Sequence, residues 1–119
     1  MLFTQNINLT DTAVTEVLKV PDGFIGKWTL TFVSNLDNAN NHLTMFVDKA
    51  SSDPDLYLLN DKIVNSKDYL IIETRSGIVL QPGDVLKAST DTVGNVEVVV
   101  TLDLIYSPFN VNNFGTGGA

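Results

Sequence analysis

The chain offers few side chains that could perform chemistry. His42 is its single histidine, and cysteine does not occur. A zinc site needs three or four ligands drawn from histidine, cysteine and carboxylates, so this composition argues against zinc. The lack of cysteine also excludes disulfides and a thiolate nucleophile. We therefore expect His42, which lies at the start of a predicted strand beside an asparagine-rich loop, to be structural or simply exposed.

A serine nucleophile has no support from sequence motifs. Ser34, Ser76 and Ser89 do not stand in the sequence context of a nucleophile elbow. The members of a Ser-His-Asp arrangement meet only in the folded protein, as do the paired carboxylates of glycoside hydrolases, so spacing alone leaves both open. Because no catalytic or cofactor motif occurs, we expect no catalytic residue, no bound cofactor and no enzymatic activity.

Two loops rich in side-chain oxygens could in principle hold calcium. One contains Asp53 and Asp55, and the other begins at Asp37 and continues into three asparagines. Neither matches the spacing of a calcium loop, with its glycine and terminal glutamate. Asp and Asn are also preferred turn residues. We interpret both clusters as turns and expect no metal site.

Two aromatic residues could form a carbohydrate platform. Trp28 shares its predicted strand face with other large apolar residues, so core packing explains it better. The orientation of the Tyr57 side chain stays undecided, because Leu56 and Leu58 could be the buried pair, which would leave Tyr57 exposed. An exposed aromatic ring is a contact candidate for sugar or protein alike.

Charge and hydropathy narrow the range of partners. Fourteen acidic residues against seven basic ones give a net charge of −7, and the basic residues are scattered along the chain. Nucleic-acid affinity comes mostly from clustered lysine and arginine, so we expect no nucleic-acid partner. The chain has no apolar run long enough for a membrane span and no secretory signal pattern. We expect a soluble protein made in a cytoplasm.

The strongest structural signal is the stretch from Val96 to Tyr106, in which every second residue is apolar. This alternation is typical of a strand with one face on a core. The turn residues between Asp91 and Asn95 predict that Val85–Thr90 folds back on this strand as a hairpin.

Further strands are predicted upstream. Phe24–Val33 is expected to place Phe24, Trp28, Leu30 and Phe32 on the core face. The strand containing Leu43, Met45 and Val47 is expected to return as its antiparallel partner, and Tyr69–Thr74 reads as a strand covered on both faces.

Turn signals recur about every ten residues, the spacing found in β-sandwiches and barrels. We predict a single antiparallel β-sandwich of about eight strands, resembling a jelly roll, over residues 13–106. Residues 1–12 would form an N-terminal arm or edge strand, and residues 107–119 an uncharged C-terminal arm. A frayed tail is the alternative for the C-terminal residues.

The arm interpretation rests on apolar residues that a solvated tail does not need. The partner-contact candidates at the two ends and on the surface are Phe3, Tyr57, Phe109, Val111 and Phe114.

The segments Val20–Gly23 (Val-Pro-Asp-Gly), Leu56–Leu58 (Leu-Tyr-Leu) and Gly77–Ala88 resemble small β-sandwich virion proteins of tailed phages, including cyanophages and other marine phages. The resemblance spans residues 14–106. It implies a structural part of the virion, such as a head decoration (cement) protein or a tail-associated component, and carries over no catalytic residue.

From this resemblance we expect a phage capsid decoration protein that stabilises the head by subunit contacts. Its partners would be itself, as a dimer or trimer, and the major capsid protein. A tail, neck or fibre component is the alternative within the virion. A carbohydrate-binding or receptor-contact module is the alternative of another class.

Overall fold

The computed structural model describes residues 1–107, apart from the side chains at positions 75 and 76. This part of the chain contains no helix that could span a membrane. It forms eight β-strands, which are β1 (Leu2–Leu9), β2 (Thr15–Lys19), β3 (Phe24–Asn35), β4 (Asn41–Asp48), β5 (Leu56–Val64), β6 (Tyr69–Leu80), β7 (Val85–Thr90) and β8 (Val96–Tyr106).

The strands form two four-stranded antiparallel sheets that pack face to face. The first sheet has the order β1-β8-β3-β6, and the second has the order β2-β7-β4-β5. Successive strands alternate between the two sheets except at β4 and β5. This order is that of a jelly roll, and the prediction of an all-β sandwich of about eight strands is confirmed.

The pairing follows a single long hairpin that has been rolled up. β1 pairs with β8, β2 with β7, β3 with β6, and β4 with β5. Rolling then brings β3 against β8 and β4 against β7. Apart from β4 with β5, which follow each other in the chain, every pair therefore joins strands that are far apart in sequence.

The pairing overturns two sequence predictions. Val85–Thr90 does not form a hairpin with Val96–Tyr106, because β7 and β8 belong to different sheets. The strand at Leu43–Val47 likewise does not pair with β3. Turn residues reverse the chain direction equally well within a sheet and between two facing sheets, so they do not reveal which connection is made.

The core lies between the sheets and is filled by apolar side chains from both. β4 supplies Leu43, Met45 and Val47, each fully buried, and β8 supplies every even-numbered residue from Val96 to Leu104. Trp28 is the largest buried side chain in the described residues, as predicted. Full burial of such side chains contributes about 1.5–3 kcal/mol each.

A β-bulge interrupts β3 between Trp28 and Leu30. There, Trp28 pairs with Leu102 and Leu30 pairs with Thr101, so β3 has one more residue than β8. One extra residue moves every following side chain to the other face. The prediction that Leu30 and Phe32 face the core is therefore wrong: both lie on the outer face, and Thr31 and Val33 are buried instead.

The bulge also allows a buried hydrogen bond. Trp28 and Thr31 are three positions apart and would lie on opposite faces of a regular strand. Here both point inward, and the Trp28 Nε1–H donates to Thr31 Oγ1 at 2.7 Å. The polar end of the largest core side chain is thereby satisfied.

The connection from β6 to β7 carries the chain between the sheets. Gly83 adopts a φ of 85° in the turn Gln81–Asp84, a conformation that favours glycine. The buried Asp84 carboxylate accepts hydrogen bonds from the backbone N–H groups of Ala50 and Gln81 and from Lys49 Nζ. This carboxylate holds the β4–β5 loop against the turn.

β5 and β6 differ from the predicted elements. The sequence predicts a short strand at Leu56–Leu59 and a connection from Asn60 to Asp68, whereas β5 continues to Val64. β6 runs from Tyr69 to Leu80, but its pairing with β3 jumps from Glu73 to Ile78. The Tyr69–Thr74 run is not covered on both faces, because Tyr69 and Ile71 are exposed on the outside of the first sheet.

We expect Thr31→Val to destabilise the protein by about 1–3 kcal/mol, because the buried Trp28 N–H loses its acceptor while the side-chain volume is retained. Urea unfolding followed by tryptophan fluorescence measures the change. Thr4→Val is the control: Thr4 shares an exposed hydrogen bond with Thr101 and should shift stability by no more than about 0.5 kcal/mol. Equal stability of Thr31→Val and the wild type would contradict the role assigned to this bond.

Candidate interaction surface

His42 belongs to the one group of three potential metal ligands found in the described residues. Ligand-capable atoms of His42, Asp61 and Asp91 all lie within 4.8 Å of one another. His42 Nδ1 is 2.7 Å from Asp91 Oδ2, and the His42 backbone N–H donates to Asp91 Oδ1 at 2.8 Å. Asp91 therefore already has a structural role, which is to connect the start of β4 to the loop after β7.

The asparagine-rich loop after β3 is also cross-linked by its own polar groups. Asp37 Oδ2 accepts the Asn95 backbone N–H at 2.6 Å, and Asn35 Oδ1 accepts the Asp37 N–H at 3.0 Å. The Asn41 amide donates to the Thr92 carbonyl oxygen. These bonds join the β3–β4 and β7–β8 loops, in agreement with the interpretation of the Asp37 cluster as a turn.

The outer face of the first sheet carries an apolar cluster. We call Leu30, Phe32, Tyr69, Ile71 and Val99 the outer patch. Phe32 lies opposite Ile71 on β6 and opposite Val99 on β8, so the three side chains form one row across the sheet. The Phe32 and Tyr69 rings stack with centroids 5.7 Å apart and an interplanar angle of 12°.

Much of this patch is open to solvent. The exposed fractions are 37% for Leu30, 37% for Phe32, 60% for Tyr69 and 47% for Ile71. Such contiguous apolar exposure is typical of a contact surface rather than of an ordinary soluble surface.

Acidic residues border the outer patch. Leu30 is opposite Glu73 on β6, and Ser34 is opposite Glu97 on β8. The row through Phe32 itself contains no charged residue and ends at Asn6 on β1. The central row of the patch is therefore uncharged, and each of the two rows beside it carries one carboxylate.

A second aromatic pair lies on the other sheet. Phe46 on β4 stacks against Tyr57 on β5, with centroids 5.2 Å apart, and Tyr57 is 55% exposed. Phe46 is opposite Lys87, which forms a 2.8 Å ion pair with Asp48. This hydrogen bond to Asp48 raises the pKa of Lys87. The second pair is thus bordered by charges of both signs.

Of the residues predicted as contact candidates, the two that the structure describes, Phe3 and Tyr57, lie in different sheets. Phe3 lies in β1, 39% exposed and opposite Leu102, whereas Tyr57 lies in the other sheet. Phe109, Val111 and Phe114 lie outside the described residues. Of the predicted candidates, Tyr57 forms part of an exposed aromatic pair.

The sequence prediction missed the outer patch for two reasons. The β3 bulge turns the side chains of Leu30 and Phe32 from the predicted core face to the outer face. The residue type at Thr29 does not indicate that a bulge occurs there. The apolar run at Tyr69–Ile72 was a usable signal, because apolar residues on both faces of a strand are compatible with one covered face and one contact face.

Comparisons with known proteins give little information beyond what the geometry of the structure shows. No protein-family model and no curated protein matches the chain. A chain from the "Acidic stable capsid structure of Helicobacter pylori bacteriophage KHP30" is similar, with a TM-score of 0.45 and 14% identity over 92% of this chain and 90% of that chain. A similarity of this size carries no argument about function, and the jelly-roll assignment rests on the strand order alone.

We expect Asp91→Asn to lower the melting temperature at pH 7. The hydrogen bond from the His42 backbone N–H, together with the His42 side chain, lowers the pKa of Asp91 below its ordinary value of 3.8. A lowered carboxylate pKa stabilises the folded state above pH 3.8, and this contribution is lost as the pH falls through the folded-state value. The difference from the wild type should therefore shrink below pH 3.8.

Thermal unfolding between pH 7 and pH 2, followed by circular dichroism, measures this effect. Asp22→Asn, at an exposed carboxylate in the turn before β3, is the matched control and should leave the curve unchanged. A pH-independent difference between Asp91→Asn and the wild type would contradict the assignment.

Proposed function

We propose that this protein is a structural component of a phage virion, and more specifically a capsid decoration (cement) protein that stabilises the head through subunit contacts. It acts by binding and has no enzymatic activity. Its partners are further copies of itself and the major capsid protein. It is made in the host cytoplasm and ends in the virion.

The fold and its filled interior support a function in which the protein binds its partners through the outer surfaces of the sandwich. Jelly rolls occur in viral capsid proteins, in lectins and in cupins, and fold alone does not choose among them. In the described residues the space between the sheets is occupied by apolar side chains, among them Met45, Leu86 and Leu102, which are fully buried. A buried ligand site of the kind that needs an open barrel has no room there.

The outer patch is the single observation on which the proposal depends most. Five apolar side chains on adjacent strands, four of them more than a third exposed, are suited to a protein that is covered by neighbours in its working state. The resemblance of Val20–Gly23, Leu56–Leu58 and Gly77–Ala88 to virion proteins supports the same class.

The charge of the chain is compatible with this position. A net charge of −7 disfavours contact with packaged DNA and keeps the free subunit soluble before assembly. Specific contacts would then come from the apolar surface and not from charge.

Immunogold labelling of purified virions tests the proposal. An antibody raised against this chain should label the heads, and quantitative mass spectrometry should find the chain at a fixed ratio to the major capsid protein. Labelling confined to the tail, neck or fibres would support the alternative virion position. Absence of the chain from purified virions would overturn the virion role.

The stacked Phe46–Tyr57 pair favours a second candidate function, a carbohydrate-binding or receptor-contact module. Exposed rings on a sheet surface can stack on sugars, and lectins share the jelly-roll architecture. Tyr106, 68% exposed and packed edge-on against Phe24, is a further candidate ring.

If the second candidate is right, the protein binds a defined set of glycans on an array, and Tyr57→Ala weakens binding at least tenfold, because a stacking ring is lost. Tyr69→Ala, which removes an equally exposed tyrosine from the other sheet, is the matched control and leaves binding intact. Lack of binding to any glycan would reject this candidate.

A further inference from the structure

We infer that the outer patch is the receptor for residues 108–119 of a second copy of this chain. This inference extends the proposed function, because it names the contact by which the subunits associate. Three observations lead to it: the chemistry of the patch, the composition of the segment, and the direction in which the chain leaves β8.

The patch favours an uncharged, apolar occupant. Its central row of Ile71, Phe32 and Val99 is uncharged, and Glu73 and Glu97 lie in the flanking rows. If two copies packed through this same patch by a twofold axis, the acidic borders would approach each other, on subunits that each carry a net charge of −7. Like charges brought together at an interface cost free energy. A segment without acidic side chains avoids this cost.

Residues 108–119 have the required composition. The sequence Pro-Phe-Asn-Val-Asn-Asn-Phe-Gly-Thr-Gly-Gly-Ala contains no charged side chain and three large apolar ones, Phe109, Val111 and Phe114. Phe109 and Val111 have the spacing at which side chains share one face of an extended segment. Burying such side chains against apolar surface contributes about 1.5–3 kcal/mol each.

The start of the segment favours a neighbouring copy over the patch of the same chain. The Ser107 N–H donates to the Gly23 carbonyl oxygen at 2.6 Å, so the chain follows the direction of β8 to the end of the sheet. Ser107 precedes Pro108, and a residue before proline favours extended conformations. Where the described residues end at Ser107, the chain is therefore still running along β8 and away from Val99.

The distances agree with this choice. Val99 lies seven residues back along β8 from Tyr106, which is roughly 23 Å at the rise of an antiparallel strand. A return to this point would require a reversal directly after Pro108. Twelve extended residues span up to about 40 Å, which is enough to cross to an adjacent subunit and lie along its patch.

The second exposed aromatic pair is a poorer receptor. Phe46 and Tyr57 adjoin the Lys87–Asp48 ion pair, whose desolvation by an uncharged segment would be unfavourable. Among the side chains that the structure describes, no ion pair adjoins the outer patch, so the uncharged segment fits it better.

Complementation between two full-length variants tests the inference. The patch variant carries Phe32→Ser and Ile71→Thr, and the segment variant carries Phe109→Ser and Phe114→Ser. We expect the wild type to sediment above the mass of its 13.0 kDa monomer and each variant to sediment as a monomer. Mixed together, the variants should form a one-to-one complex, because each supplies the half that the other lacks.

Tyr57→Ser on the other sheet is the matched control and should associate like the wild type. Circular dichroism and melting temperature show that each variant is folded. If the patch variant is folded and still associates like the wild type, the patch is not the receptor. A wild type that stays monomeric at every concentration, or variants that are monomers and do not complement each other, would overturn docking between copies.

This experiment uses purified protein alone, so its outcome is independent of the labelling of virions. Complementation without virion labelling would retain the contact and reject the virion role. Virion labelling without complementation would retain the role and reject the contact.

Discussion

The bulge in β3 is the constraint on which the rest of the structure depends. β3 is one of the two inner strands of the first sheet and pairs with both β6 and β8, and its two halves present opposite sets of residues to the core. Trp28 is buried before the bulge, and Thr31 and Val33 are buried after it. The same shift allows the Trp28 side chain to bond to Thr31 and turns Leu30 and Phe32 outward. The bulge is therefore the common cause of the packing around Trp28 in the core and of the apolar surface on the outer face.

The rolled hairpin explains why the function we propose is located on the outer surfaces. Its strands bring apolar faces together from both sheets, and the resulting core leaves the described interior filled. Polar side chains that are buried, such as Asp84 and Asn35, hold loops and turns in place through hydrogen bonds to backbone groups. What remains for recognition is the outside of each sheet, where the two exposed aromatic pairs lie.

The sequence predicted individual strands well and their partners poorly. The alternation in β4 and β8 identified their buried residues, and Trp28 was placed correctly in the core. Alternation in sequence indicates which side chains share a face of a strand, but it does not indicate which other strand pairs with it. The hairpin between β7 and β8 was therefore wrong, although both strands exist. The part of the outer patch on β3 could not be predicted, because one extra residue at Thr29, which no sequence feature indicates, reverses the facing of Leu30 and Phe32.

The most direct test of the central claim uses the absence of cysteine from the chain. Two full-length variants, Ile71→Cys and Phe109→Cys, are mixed and oxidised, and the products are separated without reduction. Docking of the C-terminal segment on the outer patch of a second copy predicts a mixed disulfide that joins one copy of each variant. It also predicts little product when Tyr57→Cys replaces Ile71→Cys. Equal cross-linking to positions 57 and 71, or none to position 71, would contradict the account.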